Sequence, residues 1–106
     1  MKEVLNKEEL NKISKDKVVV VDFFAEWCNP CKMLMSSIEE LAKEYNSTKI
    51  EIVKVNVGKS QELAEEYSIM SVPTILFLKN GENIDFLPGL ISKEIIVSKI
   101  EKLLKE

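Results

Sequence analysis

The run Val18-Val19-Val20-Val21-Asp22-Phe23-Phe24-Ala25 is β-branched and aromatic, and only Asp22 interrupts it. A strand with one wet face alternates apolar and polar residues. A run this uniform has no wet face, so it belongs in the middle of a parallel or mixed sheet covered on both sides. Beyond it, Leu34, Ile38, Leu41, Ala42 and Tyr45 recur at three- and four-residue steps with charges between them, the pattern of an amphipathic helix. Ile50 to Val57 is a second strand candidate. Strand, helix and strand in that order make a βαβ unit, whose strands are expected to be parallel with a right-handed crossover.

The flanking segments extend this α/β reading. Asn6 stands three residues before Glu9 in the manner of a capping box, with Leu5 and Leu10 at the staple positions, so residues 6–14 read as a short helix. Ser60 to Tyr67 reads as another, capped by Ser60. Asn80-Gly81 is a strong two-residue hairpin signal joining Thr74–Lys79 to a partner around Asn83–Leu87, which Pro88-Gly89 ends. Ser92 caps a last helix on which Ile96, Ile100, Leu103 and Leu104 share a face. Four or five strands and four helices around a mixed sheet are expected, in one domain over residues 1–106. Met33, Met35 and Met70 read as core filler, and the lysines of the last helix as a solvated face.

Charge and composition exclude several functions. The chain has 106 residues, 15 Lys+Arg against 18 Asp+Glu, and a net charge of −3. That balance argues against nucleic acid or an anionic membrane as the main partner. The apolar run Val18–Val21 stops at Asp22, far short of the roughly 20 residues a membrane span needs. The start, Met1 to Leu10, lacks the apolar run of a secretory signal, so a cytoplasmic location is expected. There is no histidine, which removes imidazole catalysis and most zinc sites.

Two cysteines, Cys28 and Cys31, carry most of the functional information. They could form half of a zinc site, but the other ligands would have to be carboxylates or come from a second chain. They could form a structural disulfide, although so short a loop constrains the unfolded chain little. They could form a dithiol that cycles, the reading a βαβ context favours. The run from Ala25 to Lys32 places Cys28 at the start of a helix and Cys31 one turn inside, with Pro30 in the first turn where a missing N–H costs nothing. The unpaired N–H groups and dipole of a helix start favour a thiolate. They lower thiol pKa values to about 3.5–7.5, from about 8.5. The outer Cys28 would then be the nucleophile, and the shielded Cys31 would resolve the mixed disulfide. Trp27, beside the nucleophile, is expected to shield the site and contact substrate.

Asp22-Phe23-Phe24-Ala25-Glu26-Trp27-Cys28-Asn29-Pro30-Cys31-Lys32, then Val72-Pro73-Thr74, Asn80-Gly81 and Gly89, resemble the thioredoxin family in order and spacing from about Asn6 to Leu104. The resemblance implies a central mixed sheet of five strands flanked by four helices. It implies protein disulfide reduction and no bound cofactor, with electrons supplied by an NADPH-dependent flavoprotein, thioredoxin reductase. Disulfide-containing proteins would be the substrates, and the chain would act as a monomer. Asp22 would lie beneath the cysteines and take the proton of Cys31, with Lys54 tuning it. Trp27, Asn29, Pro30, Val57, Val72, Pro73, Gly89 and Leu90 would contact substrate, with a cis Val72–Pro73 bond facing the cysteines.

Four positions depart from the family pattern. Asn29 replaces the usual glycine between the cysteines, where the dipeptide helps set the reduction potential. Ser36 stands where the long helix often has a kinking proline, Gly58 replaces a common acid near the substrate surface, and Leu90 is bulkier than usual. Two other functions remain open at this level: a dithiol oxidase or isomerase running the same residues in the other direction, and a binding module using the fold as a clamp.

Overall fold

The computed structural model describes all residues from Met1 to Glu106. In chain order the elements are β1 (Lys2–Glu3), α1 (Lys7–Ser14), β2 (Val18–Phe24), α2 (Asn29–Glu44), β3 (Ile50–Asn56), α3 (Gln61–Glu66), β4 (Thr74–Lys79), β5 (Glu82–Pro88) and α4 (Lys93–Lys105). The strands form one sheet in the order β1-β3-β2-β4-β5. β2 is central, parallel to β3 and antiparallel to β4. This is the mixed five-stranded sheet with four helices that the motifs imply.

The strand period of two sorts side chains into two cores. Val18, Val20, Ile52, Ile75 and Phe77 pack on one face against Leu34, Ile38 and Leu41 of α2 and Ile96, Ile100 and Leu103 of α4. Val19, Val21, Phe23, Val53 and Val55 pack on the other face against Leu10 of α1 and Leu63 of α3. Each such buried side chain contributes about 1.5–3 kcal/mol of transfer free energy. The two clusters hold β2 between α2 and α1 and so fix where its C-terminal end delivers the chain.

Several local expectations change. The Leu5–Leu10 staple does not form: Leu5 is 55% exposed and Val4 is fully buried in its place. The cause is β1, absent from the sequence reading, which pairs with β3 and leads Val4 N–H onto the Lys54 carbonyl at 2.8 Å. Strand alternation then turns Val4 inward and Leu5 outward. Asn6 does cap α1, its Oδ1 accepting from Glu9 N–H at 2.9 Å. Ser60 occupies the N-cap of α3 but makes no side-chain cap bond, and its buried hydroxyl has no partner. Its N–H donates instead to the Asn56 carbonyl at 2.9 Å, so that turn is held from Asn56 rather than by the Ser60 hydroxyl.

The methionines and the terminal lysines also differ from expectation. Met35 packs partly against the core, but Met33 is 64% and Met70 91% exposed. The buried stripe of α2 runs through Cys31, Leu34, Ile38 and Leu41, and Met33 lies off it. Met70 lies in the irregular segment before β4. On α4, Lys93 Nζ lies 2.9 Å from Glu40 and 3.4 Å from Glu44, and Lys99 Nζ lies 2.7 Å from Asp85. These lysines therefore tie α4 to α2 and β5 rather than only facing solvent. The Lys93 ammonium is correspondingly pushed up from its ordinary range, first by its hydrogen bond to Glu40.

The hairpin is as the sequence implies. Asn80 and Gly81 have φ of 50° and 82°, both positive as a type I′ turn requires. β5 reaches Pro88 on the sheet edge, where a proline breaks no interior ladder.

Candidate active site at the end of the central strand

β2 ends at Phe24, and the chain turns directly into α2. Cys28 N–H donates to the Ala25 carbonyl at 3.2 Å, closing the turn. Cys28 is the N-cap of α2, with extended φ and ψ of −95° and 109°, and Pro30 lies in the first turn. Its Sγ accepts the Cys31 N–H at 3.2 Å, as an N-cap oxygen would. Cys28 and Cys31 are joined as a disulfide with their Cα atoms 5.3 Å apart, so this is the oxidised protein. A helix N-terminus thus directs a backbone donor at the outer sulfur, the arrangement that stabilises a thiolate after reduction.

The sulfurs are less open than the sequence suggests. Cys28 is 5% and Cys31 2% exposed, both clustered with Ala25 and flanked by Phe24, Val57 and Val72. Val57 and Val72, from two different loops, therefore wall the disulfide. Cys28 Sγ lies 3.8 Å from the Val72 carbonyl oxygen. The Val72–Pro73 peptide is cis. Thr74 Oγ1 donates to the Ser71 carbonyl at 2.8 Å, and Gly89 N–H donates to the Pro73 carbonyl at 2.8 Å. The second bond sets the Pro88–Ile91 turn beside the proline loop. Gly89 has φ of +90°, and a Cβ there would meet nothing within 4 Å. Its left-handed backbone, rather than close approach of a neighbour in the chain, is what calls for glycine.

Around this pair the rim is open. Trp27 is 79% and Leu90 49% exposed, and Asn29 and Pro30 are also exposed. Met70, expected as core filler, is 91% exposed on the segment that leads to Val72.

Asp22 is completely buried, and neither of its carboxylate oxygens has a hydrogen-bond partner. Strand alternation puts it on the same face as Val20, which packs on α2, and Phe24, which packs on the cysteines. It thus lies between the apolar core and the disulfide. Burial pushes its pKa up to about 7, against the opposing pull of the Lys54 ammonium. Lys54 is Asp22's register partner across β2 and β3, but no ion pair forms within 4.0 Å. Its influence is through space. A carboxyl that titrates near neutrality can both accept and return a proton there.

One residue escaped the sequence reading. Asn56 is 4% exposed at the end of β3, directly across from Phe24. Its Nδ2 donates to Glu26 Oε1 at 3.2 Å, and its Oδ1 accepts from Gly58 N–H at 2.9 Å. It braces the loop before Trp27 against the loop after Val57. The available signal was a polar residue closing an otherwise apolar strand, opposite the cysteine loop.

No group of three or more His, Cys, Asp or Glu side chains is placed to hold a metal ion.

Comparison with known proteins agrees with this geometry. The thioredoxin family model matches residues 2–102. A chloroplastic M-type thioredoxin of Pisum sativum is 46% identical over 90 residues, which is 85% of this chain but 52% of that protein. The chain therefore spans about half the length of that relative. A thioredoxin of Rickettsia typhi is 41% identical over 85% of both chains. The solved thioredoxin of Plasmodium falciparum superposes with a TM-score of 0.84 at 40% identity, over 96% of this chain and 98% of that one. With a cysteine-capped helix at the end of the central strand, a proline loop against the sulfur and this likeness along nearly its whole length, the chain belongs to the thioredoxin family.

Proposed function

We propose that the chain is a thiol–disulfide oxidoreductase that reduces protein disulfides through Cys28 and Cys31. The observation that carries this is the N-capping of α2 by Cys28 Sγ, which accepts the Cys31 N–H beside the Val72 carbonyl. In the reduced protein that donor stabilises a Cys28 thiolate. The thiolate attacks one sulfur of a substrate disulfide, forming a mixed disulfide and expelling the other sulfur as a thiolate. Asp22 takes the Cys31 proton, directly or through water. The Cys31 thiolate then attacks Cys28 Sγ, closes the Cys28–Cys31 bond and releases the second substrate sulfur. Two electrons have passed to the substrate; the Cys31 proton taken by Asp22 is returned to one departing sulfur and solvent protonates the other.

The remaining roles follow from placement. Trp27, Asn29, Pro30 and Leu90 form the rim that meets substrate. Val57, Val72 and Pro73 form the walls, and the backbone of Val72 pairs with an extended substrate segment by strand addition. Lys54 tunes Asp22. An NADPH-dependent flavoprotein, thioredoxin reductase, resets the disulfide, and the protein works as a single monomeric domain in the reducing cytoplasm. No helix is long and apolar enough to cross a membrane. The name of the pea relative makes a plastid the other compartment to test.

Turbidity from insulin reduction by dithiothreitol, with and without the protein, is the first test. Acceleration by the native chain, loss in Cys28→Ser and accumulation of a mixed disulfide in Cys31→Ser are expected. Activity retained in Cys28→Ser would overturn the assignment. Titration against a glutathione series then separates a reductant from an oxidase.

A further inference from the structure

The segments bordering the disulfide are residues 26–33, 57–59, 70–73 and 88–91. They contain one carboxylate, Glu26, and two lysines, Lys32 and Lys59, in a chain whose net charge is −3. The acidic excess therefore lies elsewhere on the molecule. Glu26 is also committed: its Oε1 accepts from Asn56 Nδ2 at 3.2 Å and lies 4.0 Å from Lys59 Nζ. Lys32 and Lys54 have no carboxylate oxygen within 4.0 Å. Both line a cleft of about 260 Å³ together with Phe24, Ala25, Cys31, Met35 and Glu26, whose carboxylate is the one already tied to Asn56 and Lys59. Each of the three segments that carry Cys28, Val72 and Gly89 also exposes a large apolar side chain, with Trp27 79%, Met70 91% and Leu90 49% exposed.

Exposed apolar side chains and an adjoining cleft with two lysines, neither of them in an ion pair, against one tied carboxylate are complementary to one kind of peptide. We propose that this site prefers disulfides in segments that carry apolar side chains and an acidic residue, whose carboxylate enters the cleft that Lys32 and Lys54 line. This rests on the reading of Cys28 and Cys31 as a disulfide-reducing pair, and it names the substrate class for that pair. Gly58 contributes to the preference by placing no side chain, and so no competing acid, between Val57 and Lys59. Charges at an interface rim act mainly on encounter and register, and salt screens them over about 10 Å at 0.1 M.

The test uses the pre-reduced full chain and three peptides, each closed by one internal disulfide. The peptides share a leucine beside the cysteine and differ at one flanking position: Glu, Gln or Lys. Stopped-flow Trp27 fluorescence gives the second-order rate constant for each. The Glu peptide is expected to react fastest and the Lys peptide slowest, with steps of about two- to fivefold at low salt. The spread is expected to shrink toward unity at high salt. Lys32→Gln is expected to remove most of the spread while leaving the Gln peptide within about twofold of wild type. Equal rates for the three peptides, a reversed order, or a spread that survives in Lys32→Gln would overturn the proposal while leaving disulfide reduction intact. No reaction with any peptide would overturn disulfide reduction itself, and the preference with it.

Discussion

Replacing Asp22 with asparagine is expected to stabilise the oxidised protein, and only above about pH 5. Asp22 is fully buried with both oxygens unpartnered, and burial raises its pKa from 3.8 to about 7 despite Lys54. In the unfolded chain the same carboxyl titrates near about 3.9. Between those two values the folded protein holds a proton that the unfolded chain has released. Stability therefore falls as pH rises through this window and levels off above it. At about 1.36 kcal/mol per pKa unit, ionised Asp22 costs the native state at most about 4 kcal/mol at pH 8. Asparagine keeps the shape and stays neutral. Guanidinium unfolding of wild type and Asp22→Asn should thus coincide at about pH 4 and diverge progressively to about pH 8, with the variant more stable. A stability difference that stays constant across that range would refute the argument from burial. The same variant should slow release of the mixed disulfide more than its formation, since only the second step needs the Cys31 proton removed.

The other expectations are more local. Iodoacetamide at mildly acidic pH should label Cys28 of the reduced protein well before Cys31, as peptide mapping by mass spectrometry would show. Equal, slow labelling of both would remove the reason for assigning the nucleophile. Gly89→Ala forces a side chain onto φ of +90° and should lower stability by about 1–2 kcal/mol in urea titrations, although a Cβ has room there. Ser92→Ala removes a cap that accepts the Ile95 N–H and should cost about 0.5–2 kcal/mol. Ser60→Ala removes a buried hydroxyl with no partner and should be neutral or stabilising in the same assay. A comparable loss at both serines would show that Ser60 has a partner after all.

Much of the architecture was legible because it is written in local patterns. Uniform β-branching over residues 18–21, the three- and four-residue period after Cys31, and Asn80-Gly81 each constrain a few neighbouring dihedrals, so they can be read without knowing the fold. The chemistry-bearing pair was legible for the same reason, since a helix start is a local object and Cys28, with Pro30 two residues on, marks it. Asp22 stood out as a charge in an apolar strand.

Local pattern was enough for the four helices, four of the five strands, the two sulfurs and an acid set in the apolar strand before them. How those parts act depends on the assembled fold. It turned Val4 inward and Leu5 outward by pairing β1 with β3. It left Met33 and Met70 on the surface and drew Lys93 and Lys99 into ion pairs. It made Asn56 a brace between two loops far apart in the chain. It walled both cysteines with Val57 and Val72, and it raised the Asp22 pKa by packing α2 and the sheet around it. All of these depend on which distant residues share a neighbourhood. Burial and charge proximity are properties of that neighbourhood and not of any one segment.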